Sequence, residues 1–275
     1  MAPTLNLIGA GHLGRVLGRL FAASGSFTLG DVLTRSEASA LDAVGFIGAG
    51  HACTALARMR PADAIMLAVG DDQIEPVCAA LAAAVPLDGV LVFHCSGAKS
   101  SAALAPALAA GALTASAHPV RSFADPDQVA RDFAGTWCGV EGDAGALALL
   151  EPALRAIGAR TVPIDPAAKT VYHAASVFAS NYLVTVMDAA LRAYQAAGID
   201  AAVARELAAP LARETLDNVL RLGPGAALSG PIARGDGATV ARQQAALSSW
   251  DAPTGELYAA LAEATRVLAA SRRAD

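Results

Sequence analysis

Leu5-Asn6-Leu7-Ile8-Gly9-Ala10-Gly11-His12-Leu13-Gly14 is followed at once by a helical pattern through Arg15, Val16, Leu17, Leu20 and Phe21. An apolar run that ends in Gly9-x-Gly11-x-x-Gly14 and passes straight into a helix describes a strand, a tight turn and a helix N-terminus. Each glycine has its own reason: Gly9 permits the turn, Gly11 lets backbone approach a pyrophosphate, and Gly14 lets helix pack closely on strand. First-turn N–H groups and the helix dipole then face the anion. Gly9, Ala10, Gly11, His12, Leu13 and Gly14 are therefore the expected pyrophosphate cradle. The alternative is a glycine turn with no ligand, and the strand–turn–helix context argues against it.

Working outward, Phe27 to Thr34 reads as the second strand. Proteins that prefer NAD usually carry an acid at this strand's tip to bond the ribose 2′-OH. Here the tip reads Val32-Leu33-Thr34-Arg35-Ser36, and Asp31 lies too early. Arg35 can pair with a 2′-phosphate, and the Thr34 and Ser36 hydroxyls can donate to it. This predicts NADP(H) as the cofactor; a solvated loop arginine is the plain alternative.

Further strands are expected at Ala43 to Ala49, Ala64 to Val69, Gly89 to His94, Leu113 to Ala117, Thr136 to Val140 and Arg160 to Ile164. Helices are expected from Ile74 to Ala84, with Asp72 as its cap, and from Ala144 to Ile157. This alternation predicts an α/β fold: a doubly wound, mostly parallel sheet, followed by an all-α domain. Ligands of such sheets lie beyond the strand C-termini, so Val69, Gly70, Asp71, Ser96 and Gly97 are expected along the cofactor. His94 is either a satisfied interior histidine or a neighbour of the nicotinamide. In His118-Pro119-Val120-Arg121-Ser122-Phe123 the proline holds His118 extended. His118 and Arg121 then orient a carbonyl or carboxylate, or the loop merely turns the chain.

Asp165-Pro166, a plausible cap and first helical residue, marks the expected boundary between domains 1–165 and 166–275. One long helix is expected from Ala167 to Ala197, ~46 Å if uninterrupted. A helix capped by Asp200 follows, with a break or kink at Pro210. After a glycine/proline-rich loop come helices at Ala238 to Ser249 and Thr254 to Ala270, then the basic Arg272-Arg273. On the long helix Lys169, His173, Ser176 and Ser180 share one stripe, with Asn181 at its edge. A solvated face would carry several charges, so the stripe is expected to line a polar cleft. A desolvated Lys169 has a lowered pKa and can donate a proton; His173, one turn on, can donate or orient. The residues leave that choice open. Ser96, His118, Ser176, Ser180 and Asn181 are the expected substrate contacts.

The 275 residues are 55% hydrophobic with a formal net charge of −5. No Lys/Arg cluster appears, which argues against nucleic acid as a partner. No uncharged apolar run is expected to reach a membrane span, and no signal peptide is recognised. Cys53, Cys78, Cys95 and Cys138 lack metal spacing, so no metal site is expected and reduced, cytoplasmic thiols are.

Five motifs together carry a resemblance: G-A-G-H-L-G at 9–14, H-C-S-G at 94–97, H-P-V-R-S-F at 118–123, K-T-V-Y-H-A-A-S-V-F-A-S-N-Y at 169–182 and L-S-G-P-I-A-R-G-D at 228–236. The chain resembles bacterial Rossmann-like NADP-binding proteins whose C-terminal helical domain has no assigned function. These are distant relatives of pyrroline-5-carboxylate reductase, prephenate dehydrogenase and the β-hydroxyacid dehydrogenases. The resemblance implies two domains, NADP, a homodimer joined through the helical domains, and a small-molecule substrate held between domains. His118 is similar to the His-Pro of the prephenate enzymes. The hydroxyacid enzymes place Asn four residues after a catalytic Lys, where this chain has His173. The loop Gly230 to Asp236 parallels a substrate loop of the pyrroline reductases, making Arg234 a candidate for a substrate carboxylate, in its own subunit or across the dimer. A salt bridge to Asp236 is the alternative. The implied activity is an NADP-dependent oxidoreductase acting on a small carbonyl or imine; the competing reading is a non-catalytic NADP(H) sensor or regulatory protein.

Overall fold

The computed structural model describes residues 1–271, and Arg272-Arg273 lie outside the described residues. In chain order the first unit contains β1 (Thr4–Ile8), α1 (His12–Ser24), β2 (Thr28–Leu33), α2 (Glu37–Ile47), β3 (His51–Cys53), β4 (Ala64–Leu67), α3 (Asp71–Ala84), β5 (Leu91–His94) and α4 (Ala105–Ala109). It continues with β6 (Leu113–Pro119), α5 (Pro126–Arg131), β7 (Trp137–Gly142), α6 (Ala144–Ala156), β8 (Arg160–Pro163) and α7 (Lys169–Ala179).

The eight strands form one sheet in the order β3-β2-β1-β4-β5-β6-β7-β8. All neighbours run parallel except β6 and β7, which pair antiparallel. Strand order reverses between β1 and β4, so the crevice past their C-terminal ends is where such a sheet takes its ligand. Period-two alternation explains why both faces are covered. Leu5, Leu7, Met66 and Phe93 point to one side, against Val16, Leu17 and Phe21 of α1. Ile8, Ile65, Leu67 and Val92 point to the other, against Ile74, Cys78 and Leu81 of α3.

Several expectations are corrected. Ala43 to Ala49 is not a strand: residues 37–47 form α2. Ser36 caps it, accepting the Ser39 N–H at 3.3 Å, and Ala40, Ala43 and Ile47 face the core. A short run of small apolar residues fits either period, and the cap decides. Asp72 does not cap α3; Gly70 holds the cap position and Asp72 lies in the first turn. The long helix is not continuous. It breaks at Ser180, whose φ of −128° and ψ of −72° are not helical, giving α7 and then α8 (Asn181–Ala196). By length and composition alone the segment Pro166–Ala196 does match a membrane span, with mean hydropathy 1.3, contrary to the expectation.

The chain divides into two compact units, Met1–Ala179 and Ser180–Asp275. Strand-forming sequence stops near Pro166, yet α7 belongs to the first unit. The second unit holds α8, α9 (Ala201–Leu222), α10 (Pro224–Ala227), α11 (Pro231–Arg234), α12 (Gly237–Trp250) and α13 (Ala252–Ser271). Asp200 caps α9, accepting the Ala202 N–H at 2.8 Å. Pro210 lies inside α9 without ending it, so of the two outcomes expected there the break does not occur; a helix can lose one N–H bond where its neighbours hold it. Arg192 ties α8 to the α12–α13 junction, pairing with Asp188 at 2.9 Å and Asp251 at 3.2 Å and donating to Thr254 at 3.0 Å.

Candidate active site

The glycine turn closes against β4. Gly9 has a φ of +85°, and a Cβ there would lie 2.5 Å from the Ala68 carbonyl oxygen. A Cβ on Gly14 would lie 2.8 Å from the Ala68 Cβ. Gly11 differs: nothing lies within 4 Å of where its Cβ would be, and no side chain caps α1. The first-turn amides thus open onto space that a side chain would otherwise fill, which fits a pyrophosphate. His12 Nδ1 lies 2.8 Å from the Phe123 carbonyl oxygen, tying the turn to the loop after β6.

Within β2, before its tip, Asp31 is buried and committed. Its carboxylate accepts the Arg60 amide N–H at 2.7 Å and pairs with the Arg60 guanidinium, whose side-chain bonds hold the carboxyl below its usual range against the opposing effect of burial. Arg35 is exposed and pairs with no group among the described residues. Thr34 Oγ1 donates to the Ser36 carbonyl at 2.8 Å and Ser36 Oγ bonds the Ser39 hydroxyl at 2.9 Å, so both hydroxyls are engaged locally.

A cleft of about 250 Å³ runs past the ends of β4, β5 and β6. It brings together the expected residues Leu13, Val69, Asp71, Ser96, Gly97, His118 and His173, with Arg121 and Phe123. His118 and His173 meet edge to face, centroids 5.6 Å apart. Gly97 makes room for them, since a Cβ there would fall 2.4 Å from His173 Cδ2 and 2.8 Å from His118 Nε2. Burial, then the neighbouring His173 and Lys169, lowers the His118 pKa to about 4. The Tyr172 hydroxyl sits 2.9 Å from His118 Nδ1. Arg121 lines the cleft but is anchored to Asp132 through its carboxylate and carbonyl oxygen.

Lys169 is placed differently from the helical-stripe expectation. It is 2% exposed. Its Nζ donates to the Ser96 carbonyl at 2.9 Å and to the Ser116 hydroxyl, and pairs with Glu141 at 3.6 Å. Glu141 is as buried, and accepts from the Ser101 N–H at 2.8 Å and hydroxyl at 2.7 Å. Burial lowers the Lys169 pKa and Glu141 opposes the shift. The ammonium therefore faces the sheet, bracing α7 against β5, β6 and β7.

His94 is the satisfied interior histidine. The Ser96 N–H donates to its Nδ1 at 3.1 Å, so its Nε2 carries the proton that reaches the Ser100 carbonyl at 3.0 Å. Burial lowers its pKa to about 4. Ser96 Oγ is used locally, accepting the Ala98 and Lys99 N–H groups at 3.2 Å and 3.0 Å. Ser176 is half-buried on α7, whereas Ser180 and Asn181 are exposed at the start of the second unit. Arg234 is exposed at the end of α11. No ion pair forms between it and Asp236 among the described residues; Asp236 instead caps α12 through the Thr239 N–H at 3.0 Å. Sequence reasoning missed Glu141, Ser116 and Tyr172. The available signal was a lone acid within an apolar strand, since a buried charge needs a partner.

The fold and the open glycine turn define a two-domain protein built on a Rossmann-type sheet. More particularly, residues 3–119 match the Rossmann-like domain and residues 136–265 match a domain of unknown function, DUF2520. No curated protein sequence matches the chain. Among solved structures it is similar to protein TM1727 from Thermotoga maritima, with 26% identity, a TM-score of 0.73 and coverage of 98% of this chain and 99% of that one. It is also similar to a putative NADP oxidoreductase from Bacteroides fragilis, at 21% identity and a TM-score of 0.78 over 96% and 98% of the two chains. An imine reductase from Myxococcus stipitatus, solved with NADP+, gives 17% identity and a TM-score of 0.67 over 98% and 93%.

Proposed function

We propose that the chain is an NADP(H)-dependent oxidoreductase that reduces a small carbonyl or imine. The observation that carries this reading is an open, uncapped helix N-terminus at Gly11 beside a cleft lined by two imidazoles. The turn from Gly9 to Gly14 would hold the pyrophosphate, and Arg35 would take the 2′-phosphate. Asp31 is unavailable to a ribose because Arg60 occupies it. A bound reduced nicotinamide supplies a hydride. This chain's residues do the rest: Leu13, Val69 and Phe123 exclude water, and His118 and His173 meet the oxygen or nitrogen that gains charge. Lys169 holds α7 in place from behind. The names of two neighbours, an NADP oxidoreductase and an imine reductase, support the same chemistry.

The protein acts as a homodimer in this reading. Val203, Leu207 and Leu211 lie four residues apart on α9 and are each at least 46% exposed, a stripe that a second copy would cover.

The first test is the melting temperature with NADPH and with NADH. A ligand at ~100 times its dissociation constant that binds only the native state adds about 2.7 kcal/mol. A clear rise with NADPH and little with NADH is expected; no rise with either removes the proposal. One observation favours a non-catalytic sensor instead: the lysine of the polar stripe is locked in a buried pair. Substrate-dependent NADPH oxidation across a panel of carbonyls and imines, lost in His118→Asn, excludes the sensor.

A further inference from the structure

The hydrogen bond between Tyr172 and His118 bears on which nitrogen of His118 carries its proton. The Tyr172 hydroxyl lies 2.9 Å from His118 Nδ1. Gly139 stands directly opposite His118 on the β6–β7 ladder, and a Cβ there would fall 2.5 Å from the Tyr172 oxygen. Glycine thus lets the phenol reach the strand pair. Nδ1 is the one hydrogen-bond partner of that hydroxyl among the described residues, and a phenol donates to an imidazole nitrogen more readily than it accepts from one. A neutral imidazole that accepts at Nδ1 bears its proton on Nε2. That nitrogen lies against Gly97, a residue of the cleft wall.

We propose that Tyr172 is a positioning residue that fixes His118 in the Nε2–H tautomer, so that His118 presents a hydrogen-bond donor to a carbonyl oxygen or imine nitrogen in the cleft. The donor's use rests on the oxidoreductase reading above, whereas the tautomer does not. His173 packs on the edge of the His118 ring and Lys169 is drawn away to Glu141. The donor at this wall is therefore a neutral imidazole held from behind by a phenol.

The test is long-range 1H–15N NMR of histidine-labelled protein at pH 7, with His118 assigned through His118→Asn. The wild type is expected to show one neutral tautomer with the proton on Nε2. Tyr172→Phe removes the donor to Nδ1 and is expected to move both ring nitrogens toward tautomer-averaged shifts. Gly139→Ala, whose methyl displaces the hydroxyl, is expected to do the same. With NADPH and 2-methyl-1-pyrroline as the probe, Tyr172→Phe should lower kcat by about tenfold, less than deletion of a whole oxyanion donor, and leave KM within about twofold. A proton on Nδ1 in the wild type, or unchanged shifts in both variants, overturns the proposal. A changed tautomer with unchanged kcat overturns the donor's role. Absence of NADPH binding defeats the oxidoreductase reading instead, and the spectra still decide the tautomer.

Discussion

Arg35 and Asp31 are four residues apart, yet their environments divide the selectivity problem between them. Asp31 is buried and paired with Arg60, so it is not free to bond a ribose hydroxyl. Arg35 is exposed and unpaired among the described residues. Arg35→Ala is expected to weaken NADPH binding by about tenfold or more, roughly one charge-assisted hydrogen bond, and to leave NADH binding unchanged. Calorimetric titration with both nucleotides checks this, and equal losses for both would place Arg35 elsewhere. The buried imidazoles give a second prediction at this scale. His94 and His118 have folded pKa values of about 4, below the ordinary 6.5. Between those values the unfolded chain binds more protons than the folded one. Their contribution to stability is thus complete above pH 6.5 and is lost as pH falls toward 4. Each contributes a slope on the order of 1 kcal/mol per pH unit. Urea unfolding at pH 7, 6 and 5 is expected to show this decline, with a shallower slope in His94→Asn.

At the level of elements, one buried pair ties α7 to the sheet. Lys169 and Glu141 are 2% and 3% exposed at their side chains, and among the described residues no buried side-chain nitrogen or oxygen lacks a hydrogen-bond partner. Breaking such a pair leaves an uncompensated buried charge, which costs about 3–5 kcal/mol. Lys169→Met is expected to destabilise the protein by that order in urea titrations. The double variant Lys169→Met/Glu141→Leu should recover much of the loss. A Lys169→Met protein of wild-type stability would show that the pair does not hold α7. A loss of turnover in Lys169→Met is by itself ambiguous, since α7 also carries Tyr172 and His173.

For the whole molecule, the second unit keeps a large apolar surface outside. Val203, Leu207 and Leu211 form one stripe, and Leu220 is 77% exposed. Light scattering is expected to give twice the mass of the chain, and Leu207→Glu/Leu211→Glu to give the monomer. A monomeric wild type would remove the homodimer from the proposal.

Much of this protein is determined by local spacing. The glycine turn, the alternating strands and the capped helix starts are set by residues within a few positions of each other, so their periods and φ requirements are legible along the chain. The strand-like reading of Ala43 to Ala49 failed where period was ambiguous and a serine cap decided. The break at Ser180 was hidden because nothing in an apolar, alanine-rich run forbids helix there. Facing residues are another matter. A helical wheel puts Lys169 and His173 on one stripe but does not say what lies opposite. Glu141 reaches Lys169 from the strand that reverses the sheet's direction, and Gly139 on that strand admits Tyr172 to His118. Only the tertiary structure decided that the lysine braces the helix while the histidines line the cleft. The cost of an unpaired charge away from water makes burial and pairing inseparable, and the partner is chosen by how distant strands cross.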